Sequence, residues 1–192
     1  MKCTITRKNN LPTSVWSGGS TIQLFIHPLH SSYAARDFEV RISSATVETE
    51  TSIFTDLPGY HRILMPLNAP LKLVFEEHGE VLLNPFEATE FEGAWHTVSH
   101  GVCKDLGVML AEGWYGNLES AGSGEYECRP GFTGIYSLTD NIMVSAKGNG
   151  ETLADVLMQG DFLLLESQSD AKLVLKAPSA DTIVLIRAIR MQ

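Results

Sequence analysis

The chain has 192 residues, of which 44% are hydrophobic and 19% are charged. These values are typical of a folded globular protein and argue against disorder or a fibrous repeat. The formal net charge is −9 and the isoelectric point is near 5.1. Capture of nucleic acid or anionic lipid requires clustered lysine and arginine, so this composition argues against both kinds of partner.

No export or membrane signal is apparent in the sequence. The first ten residues lack an apolar stretch of signal-peptide length, and no run of about 18 apolar residues occurs anywhere. We therefore predict a cytoplasmic protein. Cys3, Cys103 and Cys128 are widely spaced and form no Cys-x-x-Cys pair, which favours buried thiols over a disulfide framework or a zinc site.

Short segments in the first half alternate apolar and polar residues with a period of two, the period of a β-strand. Residues 38–43 and 71–75 are two such segments. In the first, Ile42 and its apolar neighbours would share one face, whereas Arg41 and Ser43 would share the other. A Glu-Glu-His-Gly turn follows the second segment.

The second half contains further short segments rich in β-branched residues or leucine, for which a strand is predicted. Those segments are Ile142–Ala146, Phe162–Leu165, Leu173–Leu175 and Ile183–Ile189. Glu151–Met158 is the one helical candidate, although a strand is an open alternative because eight residues form a marginal helix. Between Trp114 and Gly134 the chain is glycine-rich and poor in aliphatic residues, which indicates a linker and an opening turn region. The pattern of many short strands favours an all-β sandwich or barrel.

Four segments occur in an order that resembles the HutD/Ves family of bicupins. They are Trp16-Ser-Gly-Gly-Ser-Thr21, the segment 38–47 with Arg-x-Ser-x-Ala, the segment 54–62 with Leu-Pro-Gly and a closing arginine, and Lys104-Asp105 with Met109. The resemblance covers roughly residues 11–113. It implies a double cupin, that is, two β-barrel or jelly-roll modules in one chain, and an association with histidine utilisation in many bacteria. We accordingly predict a first module over residues 1–113 and a second over 114–192.

The chain departs from the family pattern at polar positions. The usual Trp-Lys-Asn-Gly-Gly is shortened, and Ser17 replaces the basic and amide pair. Gln23 and His61 each stand where the family usually has an acid. The customary Asp-Phe-Asn reads Asp105-Leu-Gly107. The resemblance therefore implies a conserved scaffold with an altered ligand.

A pocket for a small carboxylate is the principal site prediction. Arg41, Ser43 and Arg62 would supply charge and hydrogen bonds, because a guanidinium binds a carboxylate bidentately. The backbone of Gly18 and Gly19 could approach an anion closely. The full predicted set is Trp16, Gly18, Gly19, Gln23, Arg41, Ser43, His61, Arg62 and Asp105. In the structural alternative the arginines pair with Glu39, Asp56 or Asp105, the tryptophan plugs a barrel end, and the glycines only form a turn.

Metal chemistry is the alternative reading. The chain lacks the His-x-His pair of metal-dependent cupins, so we predict neither a metal nor another cofactor. A metal-dependent cupin enzyme would have to use His61, His96 and His100 from separate strands. Asp105 and His61 could form a general acid/base pair if they met in the pocket.

We therefore predict a binding or regulatory protein, rather than an enzyme, that holds a small anionic metabolite, with amino-acid catabolism as its expected source. A third hypothesis is an interaction protein whose exposed barrel edges pair in a homodimer.

Overall fold

The structure is a computed structural model that describes residues 1–148 and 150–191. Those residues contain no α-helix, and a short 3-10 turn spans Lys8–Asn10. The strands of the first half are β1 (Lys2–Thr6), β2 (Thr13–Trp16), β3 (Gly19–His27), β4 (Val40–Val47), β5 (Thr51–Ile53), β6 (Tyr60–Pro66), β7 (Leu71–Phe75), β8 (Gly79–Leu83), β9 (Thr89–Glu92), β10 (Thr97–His100) and β11 (Cys103–Ala111). Those of the second half are β12 (Trp114–Ala121), β13 (Gly124–Cys128), β14 (Gly131–Ser137), β15 (Ile142–Gly148), β16 (Glu151–Leu157), β17 (Phe162–Ser167), β18 (Ala171–Lys176) and β19 (Ile183–Arg190). No described segment is a helix long and apolar enough to cross a membrane.

Two compact units make up the chain. The central unit spans Pro12–Trp114, and the terminal unit combines Met1–Leu11 with the chain from Tyr115 onward. The sequence had placed residues 1–11 in the first module, and the structure corrects this assignment. β1 pairs in antiparallel register with β17, so that Cys3 lies opposite Leu165. A partner about 160 positions away leaves no local signal in a sequence, which is why the prediction missed it.

The terminal unit contains two sheets. Their strand orders are β1-β17-β14-β19-β12 and β13-β18-β15-β16. The core between them is aliphatic and includes Ile135, Leu163 and Leu185, all inaccessible to solvent. Each of the four strands predicted in this half is present.

In the second half the structure decides one open alternative and overturns one prediction. Of the two readings of Glu151–Met158, the strand is correct: the segment is β16, which pairs along its whole length with β15. Its inward residues Leu153 and Leu157 are four apart, a spacing that fits one face of a helix and one face of a strand equally well. The glycine-rich segment from Trp114 onward is not a linker, because it forms β12, β13 and the start of β14. With few aliphatic side chains, the segment has no clear strand pattern, and the strands that pair with it lie far along the chain.

The central unit also contains two sheets. One has the order β2-β3-β4-β11-β6-β9 and the other has the order β5-β10-β7-β8. Leu64, Phe91 and Cys103 of the six-stranded sheet pack against Leu71 and Leu73 of the second sheet. Because alternate residues of a strand face opposite sides, these contacts identify the side of the six-stranded sheet that faces the barrel interior. We call this side the inner face.

Candidate functional site

The inner face carries a group of polar residues at the centre of the six-stranded sheet. Met109 of β11 lies opposite Arg41 of β4 on one side and opposite Arg62 of β6 on the other. Directly opposed residues of an antiparallel pair project to the same face. The two arginines therefore flank Met109 on the inner face.

A second row lies two residues further along the same strands. Gly107 of β11 is opposite Ser43 of β4 and Leu64 of β6, and Ser43 is in turn opposite Gln23 of β3. Asp105 lies two residues before Gly107 in β11 and therefore projects to the same face. The structure therefore brings five of the predicted site residues to one face, namely Gln23, Arg41, Ser43, Arg62 and Asp105.

Arg41 is buried and is held by neutral partners. Its Nε donates to Gln23 Oε1 at 3.2 Å, and its Nη1 donates to Ser43 Oγ at 3.1 Å. The guanidinium also lies over the ring of Tyr33, 4.4 Å from the ring centroid. Burial lowers the pKa of Arg41, yet an arginine remains charged at neutral pH.

Arg62 is also buried, at 9% exposure. Its Nη1 donates to the Thr55 carbonyl oxygen at 3.1 Å, and its guanidinium lies 4.7 Å and 5.3 Å from the ring centroids of Phe54 and Phe91. Burial lowers its pKa to about 10, which leaves it cationic at neutral pH. The two aromatic faces attract the cation through their quadrupoles but do not neutralise it.

Neither arginine has a salt bridge to a carboxylate among residues 1–148 and 150–191. This differs from the structural alternative, in which both would pair with acids. Asp105 is the acid on the inner face. Burial raises its pKa to about 7, although the Ala45 N–H and the charge of Arg62 act in the opposite direction. The inner face thus holds two buried cations and one carboxyl group that is readily protonated.

The tryptophan and the two glycines lie elsewhere. Trp16 and Gly19 are opposite each other in the β2–β3 hairpin, and Gly19 is also opposite Val47 of β4. Val47 is six residues beyond Arg41, which is about 20 Å along a strand. The prediction that this hairpin and the arginines form one pocket was therefore wrong.

Close packing explains why glycine occupies these two positions. A Cβ on Gly18 would lie 2.4 Å from the Trp16 ring, and a Cβ on Gly19 would lie 1.9 Å from the Thr46 carbonyl oxygen. Trp16 itself donates from Nε1 to Thr21 Oγ1 at 3.1 Å. The hairpin residues have a structural role, as in the alternative considered from the sequence.

A Gly19→Ala substitution tests this role. We expect it to lower the free energy of unfolding by about 1–3 kcal/mol, because an overpacked position forces the backbone apart. Thermal denaturation of Gly19→Ala and of the neighbouring Ser20→Ala as a control would measure the difference. Equal melting temperatures for the two variants would contradict the structural role.

His61 also lies outside the group. It precedes Arg62 in β6 and therefore projects from the opposite face. There its Nδ1 lies 3.1 Å from Glu92 Oε1 and its Nε2 lies 3.0 Å from Glu90 Oε2. His61 therefore lies apart from the predicted pocket residues, and the condition for an acid/base pair with Asp105 is not met.

The three histidines of the metal hypothesis have separate partners. His61 lies between two glutamates, His96 Nδ1 is 3.5 Å from Asp56 Oδ1, and His100 Nδ1 is 3.2 Å from Thr51 Oγ1. The part of the chain that the structure describes contains no group of three or more metal-ligating side chains that could hold an ion.

Aromatic residues around the arginines were missed by sequence reasoning. Tyr33 lies in the loop before β4, Phe54 follows β5, and Phe91 is opposite Arg62 in β9. Phe54 begins the segment that carries Arg62, so its proximity had a weak sequence signal. Tyr33 and Phe91 had none, because loop conformation and strand register bring them to the site.

Comparison with known proteins gives a family match. A model of the HutD family matches residues 8–183. A comparison with curated proteins gave no match.

Solved structures match over nearly the whole chain. A conserved protein of unknown function from Pseudomonas aeruginosa PAO1 has a TM-score of 0.83 at 20% identity, covering 98% of this chain and 99% of that chain. HutD from Pseudomonas fluorescens SBW25 has a TM-score of 0.75 at 17% identity, with 100% of both chains covered. An oxalate decarboxylase from Lactobacillus farciminis, which is a cupin, has a TM-score of 0.62 at 6% identity, covering 97% and 88%. The predicted all-β double-cupin fold is therefore confirmed.

Proposed function

The chain belongs to the HutD family, and we propose that its central unit binds a small organic anion through a carboxylate held by Arg41 and Arg62. The protein would act as a binding or accessory protein rather than as an enzyme. The family's association with histidine utilisation suggests an anionic metabolite of amino-acid catabolism as the ligand.

The observation that carries the proposal is that two buried guanidinium groups form no salt bridge with any carboxylate that the structure describes. Removing a charge from water is costly unless an opposite charge or several hydrogen bonds compensate. Arg41 has an amide, a hydroxyl and a ring, and Arg62 has a carbonyl and two rings. Each cation also raises the cost of burying the other. A bound carboxylate would relieve both costs and could accept the remaining N–H groups of the forks.

The neighbouring groups suit an anion of modest size. Gln23 and Ser43 hold Arg41 in place through side-chain hydrogen bonds, which reduces the entropy lost when a ligand is bound. Tyr33 lies against Arg41 and is half-buried, so its ring is accessible in part from solvent. Positioned donors on a rigid sheet are typical of small-molecule sites.

Titration calorimetry with a set of small carboxylates tests the proposal. We expect measurable binding to the wild-type protein and a roughly ten- to hundredfold loss in Arg41→Ala, because hydrogen bonds to charged groups are worth about 1.5–3 kcal/mol. Lys104→Ala is the matched control, since it removes one positive charge from an exposed position of β11.

Two further comparisons make the result decisive. Arg62→Lys keeps the charge but loses the planar fork, so we expect weaker carboxylate binding with an unchanged circular dichroism spectrum. If a folded Arg41→Ala variant bound the same carboxylates as tightly as the wild type, the proposed function would be wrong.

A further inference from the structure

Gly107 leaves an empty space at the centre of the inner face. A Cβ built on this residue would have its nearest contact at 3.9 Å, from the Ile63 carbonyl oxygen. Gly107 has no left-handed backbone angle, so its conformation does not require glycine. It also remains partly accessible to solvent, although Leu106 and Val108 on either side of it are fully buried.

A second mid-strand glycine shows the contrast. Gly134 lies within β14, where a Cβ would meet the ring of Phe162 at 2.9 Å and Ile186 Cδ1 at 3.3 Å. That glycine is required by packing. Among the residues that the structure describes, no side chain lies within 4 Å of a Cβ at Gly107, so the space immediately beside it is open.

The space beside Gly107 lies between groups of different chemistry. On one side, Arg41 directs its Nη1 toward Ser43, the residue opposite Gly107. On the other side is the carboxyl group of Asp105, which precedes Gly107 in β11 by two residues, or about 7 Å. Asp105 is buried and receives the Ala45 N–H, and it has no salt bridge within the described chain.

We propose that the pocket selects a carboxylate that carries a hydrogen-bond donor, such as an ammonium or amide N–H, a few bonds from the carboxylate. Gly107 would leave space for the atoms between the two groups, and Asp105 would accept from the donor. This inference rests on the proposed function, because it assumes that the arginines bind the carboxylate. The ligand would lie over Gly107 and donate to Asp105. A side chain at position 107 would block this path while leaving the arginines in place.

The raised pKa of Asp105 agrees with the same assignment. Burial raises this pKa to about 7, which means that ionising the carboxyl group without a ligand costs free energy. A cationic donor beside it would favour the ionised form and would gain a charge-assisted hydrogen bond.

Three probes separate the two ends of the ligand. Acetate occupies only the arginine end, butyrate extends over Gly107, and 4-aminobutyrate adds a donor at the far end. In titration calorimetry we expect the wild type to bind 4-aminobutyrate at least about tenfold more tightly than butyrate, which corresponds to one charge-assisted hydrogen bond. Asp105→Asn should reduce this preference to less than about threefold.

Substitution of Gly107 tests the path. Gly107→Val should weaken both four-carbon probes at least about tenfold and leave acetate within about threefold, because no arginine atom lies within 4 Å of a Cβ at this position. Gly107→Ala, which adds a single methyl group in open space, is the second variant and should show the same order with smaller changes. Circular dichroism would confirm that each variant is folded.

The outcomes distinguish this inference from the proposed function. If no probe binds the wild type, the proposed function and this inference both fail. If acetate binds but folded Gly107→Val and Gly107→Ala leave the ratio of 4-aminobutyrate to acetate affinity unchanged, only the assignment of Gly107 is overturned. An unchanged preference for 4-aminobutyrate over butyrate in Asp105→Asn would overturn the assignment of Asp105.

Discussion

Asp161→Ala is expected to lower the free energy of unfolding by about 1–3 kcal/mol, because it removes a buried acceptor and leaves its hydrogen-bond donors unpaired. Asp161 is only 3% exposed. Its Oδ2 accepts from Arg7 Nη1 at 2.8 Å and from the Met158 N–H at 3.0 Å, and its Oδ1 accepts from the Lys8 N–H at 2.9 Å. The substitution leaves three donors without this acceptor and loosens the N-terminal segment from the turn that precedes β17.

Asp155→Ala is the matched control for this prediction. Asp155 also accepts from Arg7, at 3.0 Å, but its side chain is 36% exposed, against 4% for Asp161. Exposed ion pairs contribute about 0–1 kcal/mol, so the control should lose at most that amount. Urea denaturation followed by circular dichroism would measure both variants. Equal losses for Asp155→Ala and Asp161→Ala would show that the buried carboxylate does not stabilise the terminal unit.

Local patterns predicted the strands more successfully than their partners. The run at 71–75 is β7 with unchanged bounds, and the turn that follows it leads into β8. Alternation and β-branched composition are local properties, so a single sequence contains them. The pairing of β1 with β17 depends on contacts across almost the whole chain. Asp161 shows the same limit, because a Gly-Asp turn does not reveal that Arg7 and Lys8 bind its side chain.

Register also decided which site residues came together. Alternation within β4 places Arg41 and Ser43 on one face, and the same rule separates His61 from Arg62. Sequence reasoning could therefore have excluded His61 from the pocket. The relation between Arg41 and Arg62 required more, because it depends on β11 lying between their strands with Met109 opposite both. The distance along the strands separates the Trp16 hairpin from the arginines, although β3 of this hairpin pairs with β4, the strand that carries Arg41.

Asp105→Asn is expected to make the protein more stable at pH 8 and to leave its stability nearly unchanged at pH 4. The pKa of Asp105 is raised from 3.8 to about 7 in the folded protein, chiefly by burial. Between these values the folded state holds a proton that the unfolded state releases, so the free energy of unfolding falls as pH rises. Below pH 4 both states are protonated, and above pH 7 both are ionised, so the loss is complete. The rise in pKa from 3.8 to about 7 corresponds to a loss of about 4 kcal/mol in the free energy of unfolding at high pH.

The difference between the two proteins isolates this carboxyl group from the other groups that titrate over the same range. Cys103, whose pKa burial raises to about 12, remains neutral throughout, and Arg41 and Arg62 remain charged. Urea denaturation at several pH values should give a stability difference that grows from pH 4 to pH 7 and then stays constant. A difference that is independent of pH would mean that folding does not raise the pKa of Asp105. Such an outcome would imply that the two arginines already neutralise it and would remove the charge imbalance on which anion binding depends.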